Sequence, residues 1–182
     1  MVYDIATHRH REAVWSAARA SQRAWLGATV GRVRTAVENS DLPTLVAGGE
    51  QHWPTTPDAF DDAHRRWACS IANSLRGSGV ENVTYGRLAK IIAIYLKATV
   101  ITAGFHDTIF ARVIHPPVDS ILLQTLSSCL RNSTAAKDHL KTWKAVRWTQ
   151  LDEHHYFELI ESLRSVLPRE TPLWKLEHYW NP

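Results

Sequence analysis

The chain has 182 residues and a formal net charge of +3, with 45% hydrophobic and 21% charged residues. These values are typical of one globular domain with a buried core, and they exclude an intrinsically disordered chain. Its two cysteines, Cys69 and Cys129, are too few for a disulfide framework or a four-thiolate metal site. Both fall in apolar helical patterns, where we expect a free thiol to behave as a small buried hydrophobe.

The sequence favours a cytoplasmic protein that does not contact a membrane. Its first residues lack the hydrophobic core of a signal peptide. The most apolar stretch, residues 91–104, is interrupted by Lys97 and is too short to cross a bilayer. The low cysteine content fits a reducing compartment.

One long helix is predicted over about residues 10–38, because this segment is rich in Ala, Arg and Val and free of proline. Its basic residues project onto one broad arc at about 100° per residue. This arc is either a solvated face or a surface that follows nucleic-acid phosphates. The candidate phosphate-binding residues are Arg11, Arg19, Arg23 and Arg34, together with Arg87 from a later predicted helix.

A loop over about residues 39–57 and then a helical body to the C terminus follow. Thr56 and Pro57 are typical of a helix start, and this helix should end near Gly77. The next helix, capped by Thr84 and ending near Gly104, is apolar around most of its circumference, so we expect it to be central and buried. Further helices are predicted at about residues 119–130, 134–147, 149–167 and 171–180. Since no segment alternates as a strand does, the prediction is a single all-α domain of about seven helices.

Two lysines, Lys90 and Lys97, lie in the predicted central helix and are seven residues apart, so they share a face. Such a lysine usually extends its ammonium to the surface. If one stays in a pocket, desolvation lowers its pKa and makes the neutral amine available as a nucleophile. Lys90 is the better candidate, because it follows Tyr85-Gly86 and a glycine permits close approach of another chain segment.

The segment His115-Pro116-Pro117-Val118-Asp119-Ser120 precedes an apolar helix. The prolines hold the approach extended, which places Asp119 at or beside the N-cap. Asp119 is then either a cap worth about 1 kcal/mol or an ionised carboxylate that stabilises a positive transition state.

Together these motifs resemble the catalytic half of the helix-hairpin-helix DNA glycosylase superfamily. Gly86-Arg-Leu-Ala-Lys90-Ile-Ile-Ala, a loop and Pro117-Val118-Asp119-Ser120 carry the match, over about residues 80–124. The separation of twenty-nine residues between Lys90 and Asp119 is more similar to the archaeal 8-oxoguanine branch. The resemblance implies that both side chains face a base-binding pocket, that Lys90 attacks the sugar carbon and that Asp119 stabilises an oxocarbenium-like transition state. It also implies DNA as partner, with a flipped and possibly oxidised base as substrate.

Aromatic residues provide candidate pocket walls, although core packing is the usual role of a tryptophan. We expect Trp15, Trp25, Trp67 and Trp143 in the core, since they lie in helical patterns. Trp53 lies in a predicted loop, whereas Trp174, Glu177 and Trp180 are spaced three apart in a final helix that either docks to the body or lines a pocket. The candidate substrate-binding residues are Tyr85, Gly86, His115, Trp53, Trp174, Glu177 and Trp180.

The ten histidines do not form a metal motif: there is no His-Glu-x-x-His and no Cys/His pairing. We therefore expect neither a metal nor a cofactor. The alternative to an enzyme is a non-catalytic helical module that binds nucleic acid or protein in a regulatory or defence system. A third reading is a pocket that acts on a small nucleoside or amine.

Overall fold

A computed structural model of the chain describes residues 3–22 and 25–181, and every regular element in these ranges is helical. The α-helices are α1 (Ile5–Ser21), α2 (Val30–Glu38), α3 (Leu42–Ala47), α4 (Pro57–Gly77), α5 (Tyr85–Leu96), α6 (Ile109–Val113), α7 (Ser120–Cys129), α8 (Leu140–Ala145) and α9 (Glu153–Arg164). A π-helix, Lys97–Phe105, continues α5, and 3₁₀-helices span Glu50–His52, Trp148–Gln150 and Leu173–Tyr179. The all-α prediction is confirmed.

The prediction of one long N-terminal helix over residues 10–38 is wrong. The helix begins earlier, at Ile5 after the cap Asp4, and ends at Ser21; α2 begins only after Thr29. Gly27 has a φ of 80°, in the left-handed region that ends helices, and the Trp25 indole donates to the carbonyl of Glu81. The break thus combines a local feature, Gly27, with a contact to a distant turn, and only the second cannot be read from the local sequence. Arg23 lies outside the described residues.

The predicted loop over residues 39–57 is also helical in part, because α3 and the 3₁₀-helix Glu50–His52 lie within it. Pro43 stands in the first turn of α3, where its missing N–H is not needed. The following helix matches its prediction. The Thr56 hydroxyl accepts a hydrogen bond of 3.3 Å from the amide of Ala59, and α4 extends from Pro57 to Gly77.

The C-terminal helices are shorter than predicted. Of residues 134–147 only α8 is α-helical, and the segment 149–167 contains α9 with Asp152 as its cap in place of Thr149. The loop predicted before Asp119 contains α6, and the final helix is a 3₁₀-helix. Asp152 begins α9 by accepting a hydrogen bond from the amide of His155, whereas α8 has no side-chain cap.

The prediction of a central, buried helix is confirmed by α5, which packs against α1, α4 and α9. The helical stretch Tyr85–Phe105 is long and apolar enough to cross a membrane by length and composition, with a mean hydropathy of 1.6, although 56% of this window is buried inside the protein. The apolar run of residues 91–104 that the sequence indicates is therefore shorter than the apolar helical stretch of the structure. Its burial accounts for its apolar composition.

Tryptophans separate into core and surface. Trp25, Trp67 and Trp143 are buried as predicted, but Trp15 is 57% exposed, so its assignment to the core is wrong. Cys69 and Cys129 are exposed as well, contrary to expectation. Helical periodicity predicted buried positions for these three residues. In the described part of the chain, their side chains face solvent instead.

Candidate functional site

The ammonium of Lys90 lies 2.8 Å from the Asp119 carboxylate, at the contact between α5 and the start of α7. Lys90 Nζ also donates to the carbonyl of Pro117 at 3.1 Å. The Lys90 side chain is 6% exposed and that of Asp119 is 14% exposed. The two residues named by the sequence therefore form a buried ion pair.

Asp119 is both a helix cap and the ion-pair partner of Lys90. It is the N-cap of α7, and its Oδ1 accepts a hydrogen bond of 2.9 Å from the amide of Leu122. Its Oδ2 faces Lys90. The extended backbone that follows the two prolines brings the carboxylate to the helix start and points it inward.

Gly86 lets a second segment of the chain pack closely against α5, one turn before Lys90. A Cβ at this position would lie 1.8 Å from the carbonyl oxygen of Trp148, and the Gly86 amide donates to the carbonyl of Leu151 at 3.0 Å. The expectation that this glycine admits another chain segment is confirmed. The segment is the 3₁₀-helix Trp148–Gln150, and the Trp148 ring centroid lies 5.8 Å from Lys90 Nζ.

The C-terminal 3₁₀-helix covers the ion pair. The Trp180 indole donates to Asp119 Oδ2 at 3.0 Å, and Lys97 forms an ion pair with Glu177. The Trp174 indole nitrogen and Glu177 Oε1 are buried and have no hydrogen-bond partner in the described part of the chain. Trp180 thus contacts Asp119, the Glu177 charge acts on Lys90, and two buried polar atoms of this segment are unused.

Burial and charge shift both pKa values. Burial lowers the pKa of Lys90, and the neighbouring Asp119 carboxylate only partly opposes this effect. Burial raises the pKa of Asp119, but the Lys90 charge and the hydrogen bonds from Leu122, Lys90 and Trp180 outweigh it, so the pKa lies below its usual value. The pair therefore combines an ionised carboxylate with an amine that loses its proton more readily than a free lysine.

Tyr85 and His115 lie in a different buried cluster. The Tyr85 hydroxyl is 2.8 Å from His64 Nδ1, and His115 contacts the Tyr156 hydroxyl at 3.1 Å and Asp61 at 3.0 Å. His115 is 1% exposed. The assignment of these two residues to a substrate site with Lys90 is not supported by their contacts, because both side chains are used inside the core.

Trp53 also lies away from the ion pair. It is 7% exposed, donates from its indole to the carbonyl of Leu45 at 3.2 Å, and packs against Phe105 and Phe110. It lines a separate cleft between α1, α3 and the π-helix.

The predicted basic residues divide into exposed and buried ones. Arg11, Arg19 and Arg34 are exposed. Arg11 and Arg34 line one shallow cleft with the exposed Trp15, and the Arg19 guanidinium lies 6.0 Å from the Trp15 ring centroid. Arg87 is 8% exposed and packs over Trp25 at 5.0 Å, so it does not belong to this surface.

The sequence did not indicate that Trp148 lies near Lys90 or that Trp15 lies on the surface. The Trp148 position depends on the close approach at Gly86, which a sequence indicates only as a permissive glycine. In residues 3–22 and 25–181, no group of three or more His, Cys, Asp or Glu side chains could hold a metal ion.

A comparison of the chain with protein-family models, with curated proteins and with solved structures finds no significant match in any of the three.

Proposed function

We propose that the protein cleaves an N-glycosidic bond in nucleic acid, with Lys90 as nucleophile and Asp119 as the stabiliser of positive charge. One observation carries the proposal: a buried lysine amine lies 2.8 Å from a partly buried carboxylate at a helix N terminus. Burial lowers the pKa of Lys90 and so raises the fraction of neutral amine. The ionised Asp119 supplies negative charge beside the sugar.

The proposed reaction needs no group beyond these side chains, the nucleic acid and water. The neutral Lys90 nitrogen forms a bond to the sugar C1′ as the bond from C1′ to the base nitrogen breaks, and one lysine proton ends on the departing base. The bond from C1′ to O4′ then breaks, O4′ takes up a proton from water, and a protonated Schiff base remains at C1′. Water accepts the proton that leaves C2′, and the bond from C3′ to oxygen breaks with its electron pair on the departing phosphate, which cleaves the strand by β-elimination.

Substrate access would require the C-terminal 3₁₀-helix to move. Trp180 is 41% exposed, and its indole is one of the donors that occupy Asp119. A 3₁₀-helix has poorer hydrogen-bond geometry than an α-helix and is usually short. Displacement of Trp180 would free one lone pair of Asp119 and uncover Lys90.

The surface of Arg11, Arg19, Arg34 and Trp15 supports a nucleic-acid partner. Arginine side chains bind phosphates, and an exposed indole can stack on an unpaired base. Trp15 is a large exposed aromatic residue among these cations. Both features suit a partner with an accessible single strand.

The test is borohydride trapping of a covalent adduct. The wild-type protein is incubated with oligonucleotides that contain 8-oxoguanine, uracil or an abasic site, and the Schiff base is reduced. We expect an adduct that maps to Lys90 by mass spectrometry, with trapping that accelerates as the pH rises toward the lowered pKa of Lys90.

Three variants give the control set. Lys90→Gln should abolish the adduct and Asp119→Asn should reduce it at least tenfold, with oligonucleotide affinity retained. Lys97→Gln is the matched control, since Lys97 is 39% exposed and pairs with Glu177, and its adduct should persist. No adduct and no base release with any oligonucleotide, or an adduct that survives Lys90→Gln, would contradict the proposal.

The second candidate function is a non-catalytic nucleic-acid or protein-binding module. It is favoured by the saturation of the pair, since Lys90 donates to both Asp119 and Pro117 and Trp180 occupies the same carboxylate oxygen. In this function the ion pair only joins α5 to α7. Both variants would then lower the stability and change neither base release nor strand cleavage.

A further inference from the structure

A cleft of about 810 Å³ lies between the first turns of α1, the segment from α3 to the next 3₁₀-helix, and the junction of α5 with the π-helix. Neither Lys90 nor Asp119 lines it. Ligand sites have volumes of roughly 300–1,000 Å³ and mostly apolar walls with a few placed polar groups. The cleft has the size of such a site and is not used by the proposed function.

Aromatic rings form one wall of the cleft. The rings of Trp53 and Phe105 are nearly perpendicular, at 85°, with centroids 5.5 Å apart. Phe105 is 37% exposed although it is large and apolar. Edge-to-face and offset contacts with such rings favour a flat aromatic ligand.

The backbone that presents Phe105 is unusual. Thr99 lies in the π-helix Lys97–Phe105, Phe105 follows a kink at Gly104 near its end, and both residues line the cleft. Gly104, directly before Phe105, has a φ of 98°, which other residues rarely adopt. π-helices are rare and frequently occur at functional sites.

Arg9 is the charge in the cleft that favours an anion. It is half-buried, whereas the carboxylate of Glu50 lies on an exposed residue, and Nε2 of His10 already lies 3.6 Å from the Glu38 carboxylate. Arg9 forms no ion pair with any residue in the described ranges 3–22 and 25–181. His10 Nδ1 is 2.9 Å from the hydroxyl of Tyr95, which holds the imidazole at the cleft wall.

We propose that this cleft binds a small aromatic anion, with its ring against Trp53 and Phe105 and its acidic group on Arg9. The ring contacts would supply most of the affinity, and the half-buried guanidinium would select for the negative charge. This site is independent of the reaction proposed for Lys90, and it assigns a second ligand to the protein.

The test uses two fluorescent probes with the same aromatic character. 8-Anilinonaphthalene-1-sulfonate carries one negative charge, and N-phenyl-1-naphthylamine is neutral. Titration of the wild-type protein should give saturable binding at one site, tighter for the sulfonate. Arg9→Gln should weaken the sulfonate about five- to tenfold and leave the neutral probe unchanged. Phe105→Ala should weaken both.

Arg131→Gln is the control, because Arg131 is an exposed arginine that lines neither this cleft nor the cleft of Trp15. It should leave both probes unchanged. The proposal is overturned if neither probe saturates, if both probes bind equally tightly, or if Arg9→Gln weakens the sulfonate no more than Arg131→Gln does.

Discussion

Lys90 Nζ and Asp119 Oδ2 are 2.8 Å apart, although 29 residues separate them in the chain. Their environments are unequal. Asp119 is also bonded to the Leu122 amide and the Trp180 indole, whereas Lys90 has one further partner, the Pro117 carbonyl. The carboxylate is therefore better compensated than the ammonium, and loss of either partner should have different consequences.

Asp119→Asn should lower the free energy of unfolding more than Lys90→Met. The first variant keeps the helix cap but leaves a buried ammonium beside neutral groups, at a cost of about 3 kcal/mol. The second leaves a carboxylate that retains two donors and some solvent contact, so we expect a cost of about 1 kcal/mol. Urea denaturation at pH 7 measures both.

The same measurement near pH 10 provides the check. Since burial already lowers the pKa of Lys90, its neutral form should dominate there in Asp119→Asn, and the cost should shrink. Equal costs at the two pH values would show that the variant acts through packing and not through charge.

Gly86→Ala should strongly destabilise the protein. The added Cβ would lie 1.8 Å from the Trp148 carbonyl oxygen, so the 3₁₀-helix Trp148–Gln150 must move away from α5. We expect a loss of about 3 kcal/mol or more, measured by thermal unfolding. Gly77→Ala is the matched control. No atom lies within 4 Å of its added Cβ, and alanine favours a helix, so its effect should be neutral or slightly stabilising.

Stability should fall as the pH drops below about 6.5. Burial lowers the pKa of both His64 and His115, so each remains neutral in the folded protein while the unfolded chain binds protons. More protons bound to the unfolded state at lower pH mean a smaller free energy of unfolding. Urea denaturation from pH 7 to pH 5 should give a slope that steepens as the pH falls, toward a limit of about 1.4 kcal/mol per pH unit for each histidine.

His64→Gln should remove one of these two contributions, so that the slope is about halved. His178→Gln is the control, since His178 is exposed, and its slope should equal that of the wild type. A second loss of stability is expected below pH 3.8. There the unfolded chain takes up protons on Asp61 and Asp119 before the folded protein does, because folding lowers both pKa values. A wild-type slope of zero between pH 7 and pH 5 would contradict the burial of the histidines.

Trp180→Ala should expose Lys90 to solvent. In the wild type, acetic anhydride should modify Lys97 much faster than Lys90, since their side chains are 39% and 6% exposed. Without the indole that covers Asp119, acetylation of Lys90 should accelerate, as measured by peptide mass spectrometry. Lys175 is exposed and serves as the internal reference. An unchanged Lys90 rate would show that Trp180 does not control access.

Arg11→Gln should reduce the salt dependence of nucleic-acid binding. Each lost phosphate contact lowers the slope of log K against log salt concentration by about 1. Arg11 is preferred to Arg34, whose guanidinium pairs with Glu38 at 2.8 Å. Arg131→Gln is the control, since Arg131 is exposed and lies outside the Trp15 cleft. Equal slopes for the two variants and the wild type would remove Arg11 from the binding surface.

The sequence by itself determined the helical class, the buried central helix and the helix starts at Pro57 and Ser120. Local chemistry is sufficient for these features. Apolar residues around a full helix circumference require burial, and Thr56 with Pro57, or Asp119 after two prolines, restrict the backbone within a few residues. The same local chemistry made Lys90 and Asp119 candidates.

Only the tertiary structure decided which side chains meet. The break between α1 and α2 depends on Trp25 reaching Glu81, and Tyr85 and His115 turn into a core cluster with His64 and Tyr156. Trp148 reaches Lys90 because Gly86 leaves room for its backbone. Such contacts join residues that are far apart in the chain, and hydrophobic periodicity carries no information about which distant segments pack together.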